Sequence, residues 1–315
     1  MGILRVSVNR VGESVYHMTN KRTLADWFLA TRPWSYPAST MPVALVLAYY
    51  FADGVVVDPV NAVWALVNIV IFHAAGNVWS DYFDFRYGVD NQNTLGVRQL
   101  VDGKFVAREF LWFAIFLFSA GTLCALFLVW RTGLPFLAVT FMGISAALVY
   151  PPLKYRVGGD AVIFVAYTLT PLFATAWIVT GTWSLDAIWA VLPTGILTVG
   201  ILHANNLRDS QTDTEAGIRT LASVLGQKRS VWLYQFEMLV PFAILLATVW
   251  LGILPLTVLL TLPVAVGVMA LCKQVGRFDG VNTESIATLD ASTAKTQLMF
   301  SMLMVAGLIA GHWLT

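Results

Sequence analysis

The sequence predicts an all-α polytopic membrane protein: nine transmembrane helices in a bundle around a central cavity, with the N-terminus cytoplasmic. Three observations carry this. Of 315 residues, 58% are hydrophobic and only 12% charged, against about 25% charged in soluble globular chains, so an ordinary soluble domain is excluded. The apolar residues gather into nine stretches, near 34–52, 60–79, 109–130, 133–150, 160–181, 187–207, 231–250, 253–272 and 297–314, each near the span of about 20 residues that crosses a bilayer. Of the 19 Lys and Arg residues, 18 fall before the first stretch or after the second, fourth, sixth and eighth, leaving only Arg131 on the other side. Cytoplasmic connections collect basic residues, which sets the orientation.

Taken in order, residues 1–33 form a cytoplasmic N-terminal segment. It holds Arg5, Arg10, Lys21, Arg22 and Arg32 but no apolar core of a cleaved signal peptide, and Val6 stands where a myristoylation pattern needs Ser or Thr. Leu24, Trp27, Phe28 and Leu29 among polar neighbours between Thr23 and Trp34 predict a short helix lying in the membrane interface. Residues 34–315 form a single transmembrane domain. Each span must be helical, because lipid offers the backbone no hydrogen bonds, and the alternating ten-residue segments of a β-barrel are absent. Cys124 and Cys272 lie in apolar runs without CxxC spacing, which predicts free, buried thiols. A net charge of +1 without a basic run argues against a nucleic-acid partner.

The acids are placed unevenly. After the second stretch the chain reads Asn77-Val-Trp-Ser-Asp81-Tyr-Phe-Asp84, continuing to Asp90; after the sixth it reads Asn205-Asn206-Leu-Arg208-Asp209, continuing to Asp213. If the helices run on, Asn77, Asp81 and Asp84 share one face at i, i+4 and i+7, and Asn206, Asp209 and Asp213 share another at i, i+3 and i+7. Carboxylates stacked one turn apart repel unless a cation neutralises them. Oxygen-only donors suit Mg2+, which completes its shell with water and substrate phosphates, so the pattern points to a metal-bridged diphosphate held by Asp81, Asp84, Asp209 and Asp213. Arg98, Lys154, Arg208 and Arg219 lie on the same side and are candidates to hold phosphate oxygens. Spans 2 and 6 run in the same direction, as in a parallel pseudo-repeat of spans 1–4 and 5–8 closed by a ninth.

At these residues the chain resembles the UbiA family of intramembrane prenyltransferases, and within it the branch that prenylates 1,4-dihydroxy-2-naphthoate in menaquinone biosynthesis, with its animal relatives. The resemblance runs through Arg32-Pro-Trp-Ser-Tyr-Pro at span 1, Asn77 to Asp90, Arg98-Gln-Leu-Val-Asp-Gly103, Lys154-Tyr155 to Gly159-Asp160, and His203-Ala-Asn205-Asn206-Leu-Arg208-Asp209 to Leu221. Thr293-Ala-Lys295 is a weaker echo. Ser80 stands where the family's first motif carries Asn, and Asn77, one turn earlier, is the candidate replacement. The resemblance implies Mg2+-dependent transfer of a polyprenyl group from its diphosphate to an aromatic acceptor through an allylic cation. Asp81, Asp84, Asp209, Asp213 and Lys154 would be catalytic, and Asn77, Asp90, Arg98, Tyr155, Asn205, Asn206 and Arg208 substrate-binding. The expected partners are polyprenyl diphosphate, the acceptor and membrane lipid, with the active site facing the cytoplasm from the cell membrane. Other acceptors of the family, 4-hydroxybenzoate, homogentisate or a glycerol lipid, stay open. A secondary transporter would show inverted repeats and midplane charges, unlike this one-sided distribution, and a CDP-alcohol phosphotransferase would keep its aspartates in one continuous segment.

Four aromatics near the acidic segments, Tyr82, Phe83, Tyr150 and Tyr155, are candidates to stabilise cationic charge with their ring faces. Glu237, within the seventh stretch, is an intramembrane carboxylate outside the motifs. His203 is a candidate base. Asp160 fits both a helix cap and a substrate contact.

Overall fold

A computed structural model describes residues 22–92 and 98–314; Arg5, Val6, Arg10 and Lys21 lie outside the described residues. Within them the chain is helical and has no β-strand, only an isolated bridge between Arg156 and Arg219.

The predicted interfacial helix is α1, Leu24–Ala30. Thr23 and Asp26 start it reciprocally: Asp26 N–H donates to Thr23 Oγ1 and Thr23 N–H to Asp26 Oδ2, satisfying two otherwise orphaned donors. Its Leu24 and Phe28 are exposed. The nine apolar stretches then fold as α2 (Pro37–Ala52), α3 (Pro59–Arg86), α4 (Ala107–Thr132), α5 (Phe136–Lys154), α6 (Gly159–Phe164) continued through a π-helical turn into α7 (Thr170–Thr180), α8 (Ile188–Arg208), and, after short α9 (Ser210–Glu215) and α10 (Leu221–Leu225), α11 (Gln227–Trp250), α12 (Val264–Gly276) and α13 (Leu289–Leu314).

Among the described residues seven of these spans are long and apolar enough to cross a membrane. The first and eighth stretches make shorter helices: α2 has 16 residues, and the eighth stretch divides into a 3-10 turn, Leu256–Thr261, and the 13 residues of α12. Pro255 and Pro263, which lack amide donors, bound that turn. Pro42, Pro151, Pro152, Pro193 and Pro241 lie inside helices, as neighbouring helices in membranes allow. Both cysteines are free and buried.

Helix α3 packs along α4 and α8 along α11, while α13 lies against both α2 and α8; the second and sixth spans thus pack alike on the spans that follow them. At the end of the bundle away from the acids, Arg131 pairs with Asp58 at 2.6 Å and donates to Asn61. Two close approaches set the positions of the functional ends. A β-carbon at Gly195 of α8 would meet Thr168 Oγ1 of the π-helical turn at 2.1 Å, so only glycine lets α8 close there. The connection after α5 is stitched to that after α9: Val157 N–H donates to the Arg219 carbonyl at 2.7 Å and Arg219 N–H to the Tyr155 carbonyl at 3.3 Å. Val157 takes φ 71° to do so, a strained state for a β-branched residue.

Candidate active site

Between these helices lies a cavity of about 350 Å³. One face of α3 runs its length, from Ala65 through Ile69, Phe72 and Gly76 to Asn77, Ser80, Asp81 and Asp84. Sixteen residues separate Ala65 from Asp81, about 24 Å of helix. The predicted first face is therefore real, because α3 continues unbroken to Arg86. The cavity lining is mostly apolar along its depth, with Asn68, His73, Thr175 and Gln297 interspersed, and the acidic cluster lies at one end.

That end is built around three carboxylates. Asp81, Asp84 and Asp90 each offer an oxygen, and the three oxygens lie within 4.8 Å of one another. Asp90 is folded back by the turn after α3, where its N–H and that of Val89 donate to the Asp84 carbonyl. Two cations face the cluster. Arg32, whose backbone adopts φ 53°, directs its guanidinium onto Asp81. Lys154 Nζ donates to Asp84 Oδ2 at 3.0 Å, Tyr155 OH to Asp84 Oδ1 at 2.7 Å, and Ser80 Oγ to Asp84 Oδ2 at 3.2 Å. Burial, reinforced by the neighbouring Asp84 charge, pushes the Asp90 carboxyl up to about 6. Burial and the adjacent Asp84 carboxylate likewise hold the Tyr155 phenol well above its ordinary range.

The second acidic segment departs from the prediction. Helix α8 ends at Arg208, Asp209 caps it, and Ser210 opens α9, so Asn206, Asp209 and Asp213 do not share one continuous face. Asn206 is buried outside the cavity, whereas Asn205 lines it. Asp213 is buried near Lys154, and burial raises its carboxyl to about 7 although the ammonium pulls the other way. Arg208 does not extend into the cavity. It grips Asp209 with two hydrogen bonds of 2.8 Å, Asp290 Oδ2 at 2.8 Å and Asn205 Oδ1 at 2.6 Å, tying α8 to the start of α13. Arg98 is likewise turned away, donating to the Gln92 carbonyl and pairing with Asp102 at 3.4 Å. The Arg219 side chain is exposed.

Asn77 lines the cavity but spends its amide donors on the Thr31 carbonyl, at 2.9 Å, and Ser35 Oγ, at 3.0 Å, so it anchors the chain that carries Arg32. Of the four candidate aromatics, Tyr150 lines the cavity and Tyr155 binds Asp84, whereas Tyr82 packs beside the Ala30–Phe105 cluster and Phe83 against Trp79 and Tyr87. Sequence reasoning did not select Arg32, Tyr167 or Asp290, all of which line the cavity. For Arg32 and Asp290 the signal was available: Arg32 opens the segment at span 1, and Asp290 stands three residues before Thr293.

A profile of the UbiA prenyltransferase family matches residues 40–312. The chain belongs to the UbiA prenyltransferase family. Among curated relatives, UbiA prenyltransferase domain-containing protein 1 of Homo sapiens is 33% identical over 92% of this chain and 85% of its own length, and that of Danio rerio 34% over 96% and 88%. Both relatives are animal proteins named for the UbiA prenyltransferase domain. Among solved structures, a UbiA homolog from Aeropyrum pernix K1 in its apo form superposes with a TM-score of 0.66 at 18% identity, covering 88% of this chain and 97% of that one. A UbiA homolog from Archaeoglobus fulgidus bound to DMAPP and Mg2+ gives 0.61 at 15% identity, covering 89% and 99%. The fold is thus that of the UbiA family, and the chain is a membrane prenyltransferase.

Proposed function

We propose that this UbiA-family chain transfers a polyprenyl group from its diphosphate to 1,4-dihydroxy-2-naphthoate, the step that yields demethylmenaquinone. It does so as a nine-span protein of the cell membrane whose N-terminus and acidic end face the cytoplasm. The observation that carries the transfer reaction is a long apolar cavity capped by three clustered carboxylates and two cations: it matches a substrate with a hydrocarbon tail and an anionic head.

The donor set fits Mg2+. Three carboxylate oxygens within 4.8 Å of one another form a hard, all-oxygen cluster, with Arg32 and Lys154 paired to it among the described residues. Asp81, Asp84 and Asp90 would hold the ion, with Asp209 and Asp213 approaching from the other half; the structural relative from Archaeoglobus fulgidus binds Mg2+. When bound, the ion supplies charge neutralisation of the departing diphosphate. Lys154 and Arg32 orient the phosphate oxygens by charge. Tyr155, donating to Asp84, fixes that carboxylate's rotamer. Tyr150 and Tyr167 line the cavity, where aromatic rings can stabilise developing positive charge on the prenyl carbon without attacking it. The apolar residues of the lining, Ala65, Ile69 and Phe72 of α3 among them, limit the water that would capture the cation.

The naphthoate reading is supported by Asn205-Asn206-Leu-Arg208-Asp209 and by Tyr82-Phe-Asp84 with Gly88-Val-Asp90, which resemble that branch. The deciding experiment supplies purified protein, Mg2+ and labelled prenyl diphosphate with each acceptor in turn. Prenylated, decarboxylated naphthoate is expected; product with 4-hydroxybenzoate, homogentisate or a glycerol lipid but none with the naphthoate overturns the acceptor assignment.

A further inference from the structure

Three ionisable side chains meet inside the bundle on the side of α8 turned away from the cavity. Thr198, Leu202 and Asn205 of α8 line the cavity, while His203 points elsewhere, into contact with Asp160 of α6 and Glu237 of α11. His203 Nδ1 is 3.8 Å from Asp160 Oδ1 and 3.8 Å from Glu237 Oε1, and the three donor atoms lie within 4.8 Å of one another. His203 is 0% exposed and Glu237 6%.

The local hydrogen bonding leaves this cluster unsatisfied. Both carboxylate oxygens of Asp160, Oε2 of Glu237 and Nδ1 of His203 are buried without a hydrogen-bond partner. Among the described residues neither carboxylate pairs with a Lys or Arg. The histidine tautomer follows from its other nitrogen. Nε2 lies 3.1 Å from the Ser230 carbonyl, which can only accept, and 2.8 Å from Ser230 Oγ; Nε2 therefore carries the proton. Nδ1 then faces two buried carboxylates at once, a place that calls for positive charge. A proton on Nδ1 would neutralise only one of the two carboxylates that stand 3.8 Å away, whereas a divalent ion neutralises both.

We propose that Asp160, His203 and Glu237 bind a divalent transition-metal ion, Zn2+ being the fitting probe, at a site separate from the diphosphate-binding end of the cavity. One imidazole with two carboxylates is a borderline donor set that suits Zn2+ or Mn2+. Its two negative charges match one divalent ion, leaving the buried cluster neutral. Tetrahedral Zn2+ with bonds of about 2.0–2.2 Å separates neighbouring donors by about 3.4 Å, so each 3.8 Å contact of Nδ1 would contract by a few tenths of an ångström and the two carboxylate oxygens, within 4.8 Å of each other, would close to match. Donation of the non-ligating ring N–H to a backbone carbonyl is the orientation ligating histidines adopt. Bound there, the ion clips α6, α8 and α11 together just beneath Lys154, Asn205 and Asp209.

The test uses the full-length protein in detergent, stripped with EDTA and titrated with Zn2+ in excess Mg2+, added to compete at the acidic end of the cavity. Metal content by mass spectrometry, calorimetry and melting temperature are read together. One tightly held Zn2+ per chain is expected, with a raised melting temperature. Both Glu237→Gln and Asp160→Asn should weaken binding at least tenfold and abolish the thermal gain, whereas Asp84→Asn should keep both. Replacing Zn2+ with Co2+ should give a visible d–d absorption band that Glu237→Gln loses. The proposal is overturned if the wild-type protein holds no more Zn2+ than these two variants, or if Asp84→Asn loses it equally. None of these readouts depends on which acceptor is prenylated.

Discussion

Replacing Lys154 by Met should move metal binding and catalysis in opposite directions. Asp81, Asp84 and Asp90 face Arg32 and Lys154, with Asp213 also near Lys154, so removing the ammonium makes the acidic end more negative by one charge. Lys154 Nζ lies 3.0 Å from Asp84 Oδ2, with the two side chains 12% and 7% exposed, so the bond is little screened. A hydrogen bond between charged groups of this kind contributes about 1.5–3 kcal/mol. A divalent ion taking Asp84 must displace it or share it. Freed of that competitor, the cluster should bind Mn2+ about tenfold or more tightly, at about 1.4 kcal/mol per factor of ten. The same substitution removes a preorganised cation from the diphosphate, which costs about 10²–10³ in turnover on the scale of one lost transition-state donor. Met preserves length and apolar packing, and Asp84 retains Tyr155 and Ser80, so the fold should survive. Mn2+ titration followed by electron paramagnetic resonance gives the first quantity and prenyl transfer at saturating Mg2+ the second. Weaker Mn2+ binding, or unchanged turnover, would refute the assignment of Lys154 to both roles.

Further outcomes follow from neighbouring groups. Tyr155→Phe keeps the ring contact with Tyr87 but loses the 2.7 Å bond to Asp84; turnover should fall by about tenfold or more through a less ordered carboxylate, with little change in melting temperature, and an equal loss of both would show that Tyr155 serves only the fold. Arg208→Met strands Asp209 and Asp290, and breaking buried pairs costs about 3–5 kcal/mol; a marked drop in melting temperature is expected, whereas a stable protein with only a raised KM for diphosphate would return Arg208 to phosphate binding. Because Asp90 and Asp213 hold their protons up to about 6 and about 7, and a metal takes the deprotonated form, Mn2+ affinity should be level above pH 8 and fall as the pH drops through 7 to 6; constant affinity across that range would exclude both from the metal site. Val157→Gly relieves a left-handed backbone cost of about 1–3 kcal/mol, so the protein should melt higher while turnover falls as Lys154 and Tyr155 lose their fixed exit from α5; a lower melting temperature would contradict the strain argument.

Much of this was legible in the sequence, for a physical reason. Lipid leaves the backbone one way to satisfy itself, so apolar stretches translate directly into helices, and all nine do. The face of Asn77, Asp81 and Asp84 could be read because nothing in Asn77–Arg86 stops a helix. The second face failed at Asp209, a residue that favours helix termini through its side chain; followed by Ser210, it ends α8 and starts a new helix, while the face of α8 that carries Thr198, Leu202 and Asn205, not Asn206, meets the cavity. Partners that meet only through tertiary packing were invisible. Arg32 reaches Asp81 across 49 positions and Arg208 reaches Asp290 across 82, and no local pattern reports either. Charge alone made Arg98 and Arg208 look like phosphate ligands, because the sequence does not show which carboxylates and carbonyls already occupy them.

Gly195 gives the active site a footprint in the lipid interior. It lies ten residues below Asn205, about 15 Å along α8, and touches no charged group. Yet α8 behaves there as a lever resting on Thr168: a methyl group would drive the helix off its pivot, and a rigid rod carries that shift undiminished to His203, Asn205 and Asp209. A change as small as glycine to alanine, deep among apolar side chains, would then read in an assay as damage to the diphosphate site. Screens that sort variants by distance from the acids would miss it.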